Sequence, residues 1–154
     1  MSDSPSILFV CLGNICRSPM AEGAMRAAAR EAGLDLHIDS AGTGDWHVGN
    51  PPDPRAMETA RDNGIDISAL RARQVAREDF TSFTHIFALD ADNLRNLHAL
   101  APGETTARIA LLLDLVPGRE GQAVADPYYG GRDGFEQTWH DVSAAAKALV
   151  ARFS

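Results

Sequence analysis

Cys11, Gly13, Arg17 and Ser18 fall within one short segment, Cys11-Leu12-Gly13-Asn14-Ile15-Cys16-Arg17-Ser18-Pro19, placed directly after the apolar run Ser6 to Val10. A strand, a glycine-containing loop and a helix in that order turn successive backbone N–H groups and a positive helix end toward one point, which suits an oxyanion such as phosphate. Cys11 would lie beneath that anion, and the amides and the Arg17 guanidinium that hold the anion would also favour a thiolate over a thiol. Nucleophile and phosphate pocket are then made by the same loop. Gly13 permits close backbone approach, Asn14 tolerates a positive φ, and Ser18-Pro19 suits a helix start. For Cys16 two readings stand: a small buried residue, or a neighbouring thiol that condenses with oxidised Cys11.

If Cys11 attacks phosphorus, the leaving oxygen needs a proton, and a carboxylic acid at the mouth of the loop is the natural donor. Asp126 is the choice, because Asp126-Pro127-Tyr128-Tyr129-Gly130-Gly131 combines a stiffening proline with turn-forming glycines. Trp46, Tyr128 and Tyr129 stand in loop-like sequence, where a substrate wall explains aromatic residues better than a core does. The five histidines show no recurring spacing with carboxylates or thiols, so no metal and no other cofactor is expected. The first loop also lacks the Gly-Lys-Ser/Thr ending and the three-glycine fingerprint of nucleotide-binding loops.

These residues need a scaffold of alternating strands and helices. Ser6 to Val10 reads as a buried strand and Ser18 to Gly33 as an alanine-rich helix ended by glycine. Leu36 to Ser40 reads as a second strand, and Ala41 to Pro54, rich in Gly, Asn, Asp and Pro, as an exposed loop. Pro54 to Asn63 is a helix stopped at Gly64, His85 to Leu89 a third strand, Asp90 to Leu100 a helix, and Arg108 to Leu112 a fourth strand. Asp114 to Arg132 shows no periodicity, which in a loop of that length points to function or disorder. Phe135, Trp139, Val142, Ala146, Leu149 and Phe153 form one apolar stripe of a final packing helix. The expected architecture is an α/β single domain over residues 1–154: a parallel sheet with helices on both faces and ligand chemistry at the carboxyl ends of its strands.

Composition sets the outer limits. With 154 residues the chain suits one core, and a net charge of −7 argues against a nucleic-acid partner. No segment is long and apolar enough to span a membrane and no signal segment is visible, so a cytoplasmic, reducing location is expected for two cysteines in one loop.

Taken together the chain resembles the low-molecular-weight protein tyrosine phosphatases. The likeness rests on Cys11 to Pro19, Asp39-Ser40-Ala41-Gly42-Thr43, Trp46 through Asp53, Arg73-Gln74, Glu78-Asp79-Phe80, Asp90 with Asn93, and Asp126 to Gly130, in family order. The resemblance implies a four-stranded parallel sheet and a two-step reaction through a phosphocysteine. It implies Cys11 as nucleophile, Arg17 as phosphate clamp, Ser18 as hydroxyl donor to the thiolate, Asn14 as loop brace and Asp126 as general acid, then base. Gly13, Ile15 and Cys16 complete the phosphate loop, and Leu12, Trp46, His47, Tyr128 and Tyr129 would surround the phenyl ring. Ser40 and Asp90 are supporting residues, Asp90 holding Arg17. The implied partner is a phosphotyrosine-containing protein, a tyrosine kinase among the candidates, with inorganic phosphate as product and the protein a monomer or weak dimer.

Relatives commonly carry histidine where Leu70 stands, so Asn14 is expected to lean on Ser40 or water instead, with a slightly less rigid loop. Arsenate reductases share the loop but use a further cysteine pair that this chain lacks. Protein-arginine phosphatases typically have threonine at the position of Ile15, which points here to phosphotyrosine. A noncatalytic phosphoprotein-binding module fits poorly with Cys11, Arg17 and Asp126 kept together.

Overall fold

The computed structural model of the protein describes residues 5–128 and 130–154, so Tyr129 lies outside the described residues. Four parallel strands, β1 (Ser6–Cys11), β2 (His37–Gly42), β3 (His85–Ala88) and β4 (Arg108–Leu111), form one sheet in the order β2-β1-β3-β4. The central strand β1 pairs Cys11 with Gly42 on one side and Val10 with Ala88 on the other. Its side chains alternate between two buried layers: Ile7, Phe9 and Cys11 enter one core, Leu8 and Val10 the other. A strand covered on both faces has no polar face to show, which is why Ser6 to Val10 reads as an unbroken apolar run.

Among the described residues the α-helices are α1 (Arg17–Ala32), α2 (Pro54–Asp62), α3 (Asp79–Ser82), α4 (Ala91–Leu100) and α5 (Arg132–Phe153). Helices α1 and α5 pack together over the larger core, where Phe135, Trp139, Val142, Ala146 and Leu149 are buried as their spacing predicts and Phe153 packs at its edge. The single turn α3 contributes Phe80, and α4 contributes Leu97, to the opposite layer. Gly33, at φ 71°, ends α1 in the left-handed region that glycine adopts at low cost.

Several expectations shift. β1 runs one residue further, to Cys11, so the nucleophile candidate is the last residue of the central strand. β2 begins at His37 and continues through Ala41 to Gly42, so Leu36 lies outside it and the loop starts later than composition suggested. Backbone pairing with β1 holds Ala41 and Gly42 in the sheet, overriding their weak strand propensity. β4 stops at Leu111, and Leu112–Leu115 form a 3-10 turn whose Leu112 and Leu113 are buried. The helix α3 was not anticipated, four residues being too few to carry a period.

Candidate active site

The loop after β1 has an unequal use of its backbone. The carbonyls of Cys11, Leu12, Ile15 and Cys16 accept bonds from the N–H groups of Thr43, Gly44, Asp53 and Met20 at 2.8–3.2 Å. Among the described residues, no backbone N–H from Gly13 through Ser18 donates to any protein group. Helix α1 accordingly starts without a side-chain cap and without an acidic residue in its first turn. Anchored carbonyls and unspent amides at a positive helix end are the requirements of an oxyanion cradle. Asn14 makes the turn at φ 58°, a left-handed conformation that asparagine tolerates.

Buried hydrogen bonds fix the loop from below. Cys11 Sγ lies 3.0 Å from Ser18 Oγ, which accepts from Asn14 Nδ2 at 2.8 Å. The same amide donates to Ser40 Oγ at 3.0 Å, and Asn14 Oδ1 accepts from the Arg73 N–H at 3.0 Å. Both amide donors and the carbonyl are thus engaged, so the lean on Ser40 holds. With Leu70 packed against the larger core, Asn14 still has no unmet partner. Ser40 Oγ donates in turn to Glu22 Oε1 at 2.7 Å, and Arg26 Nε donates to Glu22 Oε2 at 2.8 Å. Glu22 is 1% exposed, and burial holds its carboxyl above the ordinary value of 4.5 although Ser40 and Arg26 pull it down.

Arg17 is buried, and its Nη1 is held by Asp90 Oδ2 at 2.7 Å and by the Val124 carbonyl at 2.9 Å. Its Nε and Nη2 donate no hydrogen bond among the described residues, leaving one edge of the guanidinium for a bidentate anion. Asp90 works twice, since its Oδ1 caps α4 by accepting from the Asn93 N–H at 2.7 Å. Asp126, from the loop before α5, brings Oδ2 to 3.8 Å from Arg17 Nη2 while its Oδ1 accepts the Tyr128 N–H at 3.0 Å.

These groups line one pocket of about 210 Å³: Cys11, Leu12, Gly13, Ile15, Cys16 and Arg17 from the loop, with Trp46, His47, Asp126 and Tyr128 around its mouth. His47 lies so close over Gly13 that a Cβ there would stand 3.0 Å from its ring. Asn14 and Ser18 are buried and their side chains bond to one another beneath the loop, while their backbone N–H groups belong to the unspent set above. Cys16 also sits in the pocket wall, where burial, with Asp53, Cys11 and Asp126 adding to it, pushes its thiol far up. A larger groove between α1, α2 and α5, lined by Ala24, Asp62, Glu136 and Trp139 among others, has no cysteine and no arginine in its walls.

The family model described as low molecular weight phosphotyrosine protein phosphatase matches residues 6–154. The chain belongs to that family. It is 48% identical over 138 residues to the low molecular weight phosphotyrosine protein phosphatase of Schizosaccharomyces pombe, covering 88% of each chain. It superposes on the protein tyrosine phosphatase of Entamoeba histolytica with a TM-score of 0.91 at 35% identity, covering 97% of this chain and 96% of the other. A Drosophila arginine phosphatase superposes equally well, with a TM-score of 0.91 at 31% identity, covering 96% of this chain and 97% of the other.

Two residues of this phosphatase-family site were absent from the sequence reading. Glu22 looked like any helical surface carboxylate, but its place one turn beyond Ser18 and one turn before Arg26 puts all three on one face of α1. Arg55 lies with its guanidinium 5.4 Å from the Tyr128 ring centroid and 4.8 Å from that of Phe135. Asp53, whose N–H donates to the Ile15 carbonyl, holds Arg55 through two side-chain bonds of 3.0 Å. The phosphate loop and one aromatic wall are thereby linked through Asp53 and Arg55.

Proposed function

We propose that this protein is a phosphatase for phosphotyrosine monoesters that works in two steps through a phosphocysteine. Cys11 Sγ attacks phosphorus, forming an S–P bond as the bond to the aryl oxygen breaks, and Asp126 gives that oxygen its proton. Asp126 then takes a proton from water as the water oxygen attacks phosphorus, the S–P bond breaks and inorganic phosphate leaves. Arg17 and the amides of Gly13 through Ser18 carry the charge of the transferring phosphoryl group, so the chain needs no metal for it. Ser18 donates to the sulfur when it leaves, and Asn14, Ser40 and Asp90 hold the groups that touch substrate.

The observation that carries this reading is the convergence on one buried cysteine of unspent amides, a guanidinium edge that donates no hydrogen bond among the described residues and a carboxylate at the mouth. Trp46, His47 and Tyr128 would flank a flat ring. Ile15 in the pocket favours phosphotyrosine over phosphoarginine. The substrate is a phosphotyrosine-containing protein, with a tyrosine kinase among the candidates. The whole chain acts as one catalytic domain in the cytoplasm, as a monomer or weak dimer, without nucleic acid or membrane. In support, the net charge is −7 and no described helix is long and apolar enough to cross a membrane.

The test is hydrolysis of an aryl phosphate with and without chelator, for the wild type, Cys11→Ser and Asp126→Ala. Chelator-resistant turnover that Cys11→Ser abolishes and Asp126→Ala strongly reduces is expected, together with faster hydrolysis of phosphotyrosine than of phosphoserine or phosphoarginine. Binding of phosphate without turnover would make the chain a binding module.

A further inference from the structure

Next to the pocket lies a second hollow of about 320 Å³ that shares Leu12 and Trp46 with it. Thr43, Gly44, Asn96 and Leu100 complete its walls, and none of its lining residues is charged. In a chain of net charge −7 an uncharged hollow at the edge of an anion site stands out. Trp46 at 68%, Leu100 at 51% and Leu12 at 44% are also three of the exposed large apolar side chains among the described residues. They come from three separate segments, the loop after β1, the loop after β2 and the end of α4, yet meet at one place. Trp46 is seated there by design of the backbone: its ring lies where a Cβ on Gly44 would be, 1.9 Å from Cζ3, so only glycine leaves room for it. Gly44 is itself tied to the phosphate loop, its N–H donating to the Leu12 carbonyl at 2.9 Å.

The geometry points to a peptide subsite: the hollow takes an apolar side chain one or two residues from the phosphotyrosine of a protein substrate. This inference rests on the phosphatase reading above and adds the sequence class of its substrate. A ring held between Leu12 and Trp46 leaves its own backbone at the pocket mouth, and each residue of extended chain advances about 3.5 Å, so a neighbouring side chain reaches across the shared wall. Contact with Leu12, Trp46 and Leu100 removes apolar area from water on both sides, whereas a charged side chain would lose hydration and find no counter-ion.

The experiment is a scan of leucine, alanine and glutamate at the four positions flanking phosphotyrosine in short peptides. It is run on the wild type and Leu100→Ser, with a small aryl phosphate as the substrate that reaches only the catalytic pocket. At one position leucine should raise kcat/KM over alanine by about five- to tenfold, mainly through KM, as expected for partly burying one leucine side chain. Glutamate there should fall below alanine. Leu100→Ser should erase the leucine gain while leaving aryl phosphate turnover unchanged, which also reports that the variant is folded. No gain above about twofold at any position, or a gain that survives Leu100→Ser, overturns the subsite and leaves the phosphatase reading intact. A sedimentation change in Leu100→Ser with the peptide ranking unaltered makes the hollow the seat of a second copy and overturns it too. Loss of all turnover in the wild type, on aryl phosphate as well as peptides, removes both readings together.

Discussion

Asp90 is the residue whose replacement by its closest isostere should be most informative. Both carboxylate oxygens are in use at once: Oδ2 holds Arg17 Nη1 at 2.7 Å and Oδ1 caps α4 through the Asn93 N–H at 2.7 Å. Asn has one acceptor oxygen, so Asp90→Asn must give up one of the two bonds. Giving up the cap costs about 1 kcal/mol of stability, a loss that denaturation reads. Giving up the bond to Arg17 removes a charge-assisted interaction of about 1.5–3 kcal/mol from a side chain only 4% exposed, and turns an amide N–H₂ toward the guanidinium. Since asparagine caps a helix about as well as aspartate does but carries no charge for the guanidinium, the arginine is expected to lose. At about 1.4 kcal/mol per decade this becomes a drop of roughly ten- to a hundredfold in kcat/KM for an aryl phosphate, with a matching rise in Ki for inorganic phosphate. The assay pairs steady-state kinetics with urea denaturation. Activity and phosphate affinity within about twofold of the wild type would refute the idea that Asp90 aims Arg17 at the anion.

Three further outcomes follow from the geometry. Arg55→Ala removes the cation over the Tyr128 ring and should raise KM for aryl phosphates by about two- to fivefold with kcat nearly kept, checked by steady-state kinetics; an unchanged KM would separate Arg55 from the wall. Because burial raises the Glu22 carboxyl above 4.5, the folded protein keeps a proton that the unfolded chain releases, and this site makes stability fall as pH rises from about 4.5 through the folded value. Glu22→Gln should flatten that fall in urea titrations across acidic to neutral pH, and an unaltered slope would mean that Glu22 ionises as an ordinary carboxylate. Iodoacetamide at neutral pH should modify Cys11 and spare Cys16, whose thiol burial holds protonated, with inorganic phosphate slowing the reaction; peptide mapping that finds Cys16 modified first would contradict this.

Much of the scaffold was legible because buried parallel strands and long helices write their environment into composition. The run Ser6 to Val10 and the stripe from Phe135 to Phe153 each correspond to an element that is apolar where it is covered. The site was legible through its local part, since one loop supplies Cys11, Gly13 and Arg17, and through the turn residues that mark Asp126. What escaped were features set by tertiary contact. Ala41 and Gly42 are strand only because β1 pairs with them. Leu112–Leu115 is a turn too short for any period, and the aperiodic stretch that begins within it at Asp114 is held by bonds such as Gly121 N–H to Asp114 at 2.8 Å. A buried carboxylate such as Glu22 has the same sequence appearance as a solvated one; only the packing of α1 against β2 places it beneath Ser40. Asn14 and Ser18 give their amides to the loop and their side chains to its foundation, a division that sequence does not show.

The central claim is that phosphorus passes through Cys11, and the most direct measurement is the acid-quenched reaction of Asp126→Ala with an aryl phosphate, followed by mass spectrometry of the Cys11 peptide. The account predicts one added phosphoryl group on that peptide, absent in Cys11→Ser and decaying as inorganic phosphate appears. Turnover in the wild type with no phosphoryl group ever found on Cys11, under conditions that preserve a thiophosphate bond, would contradict it.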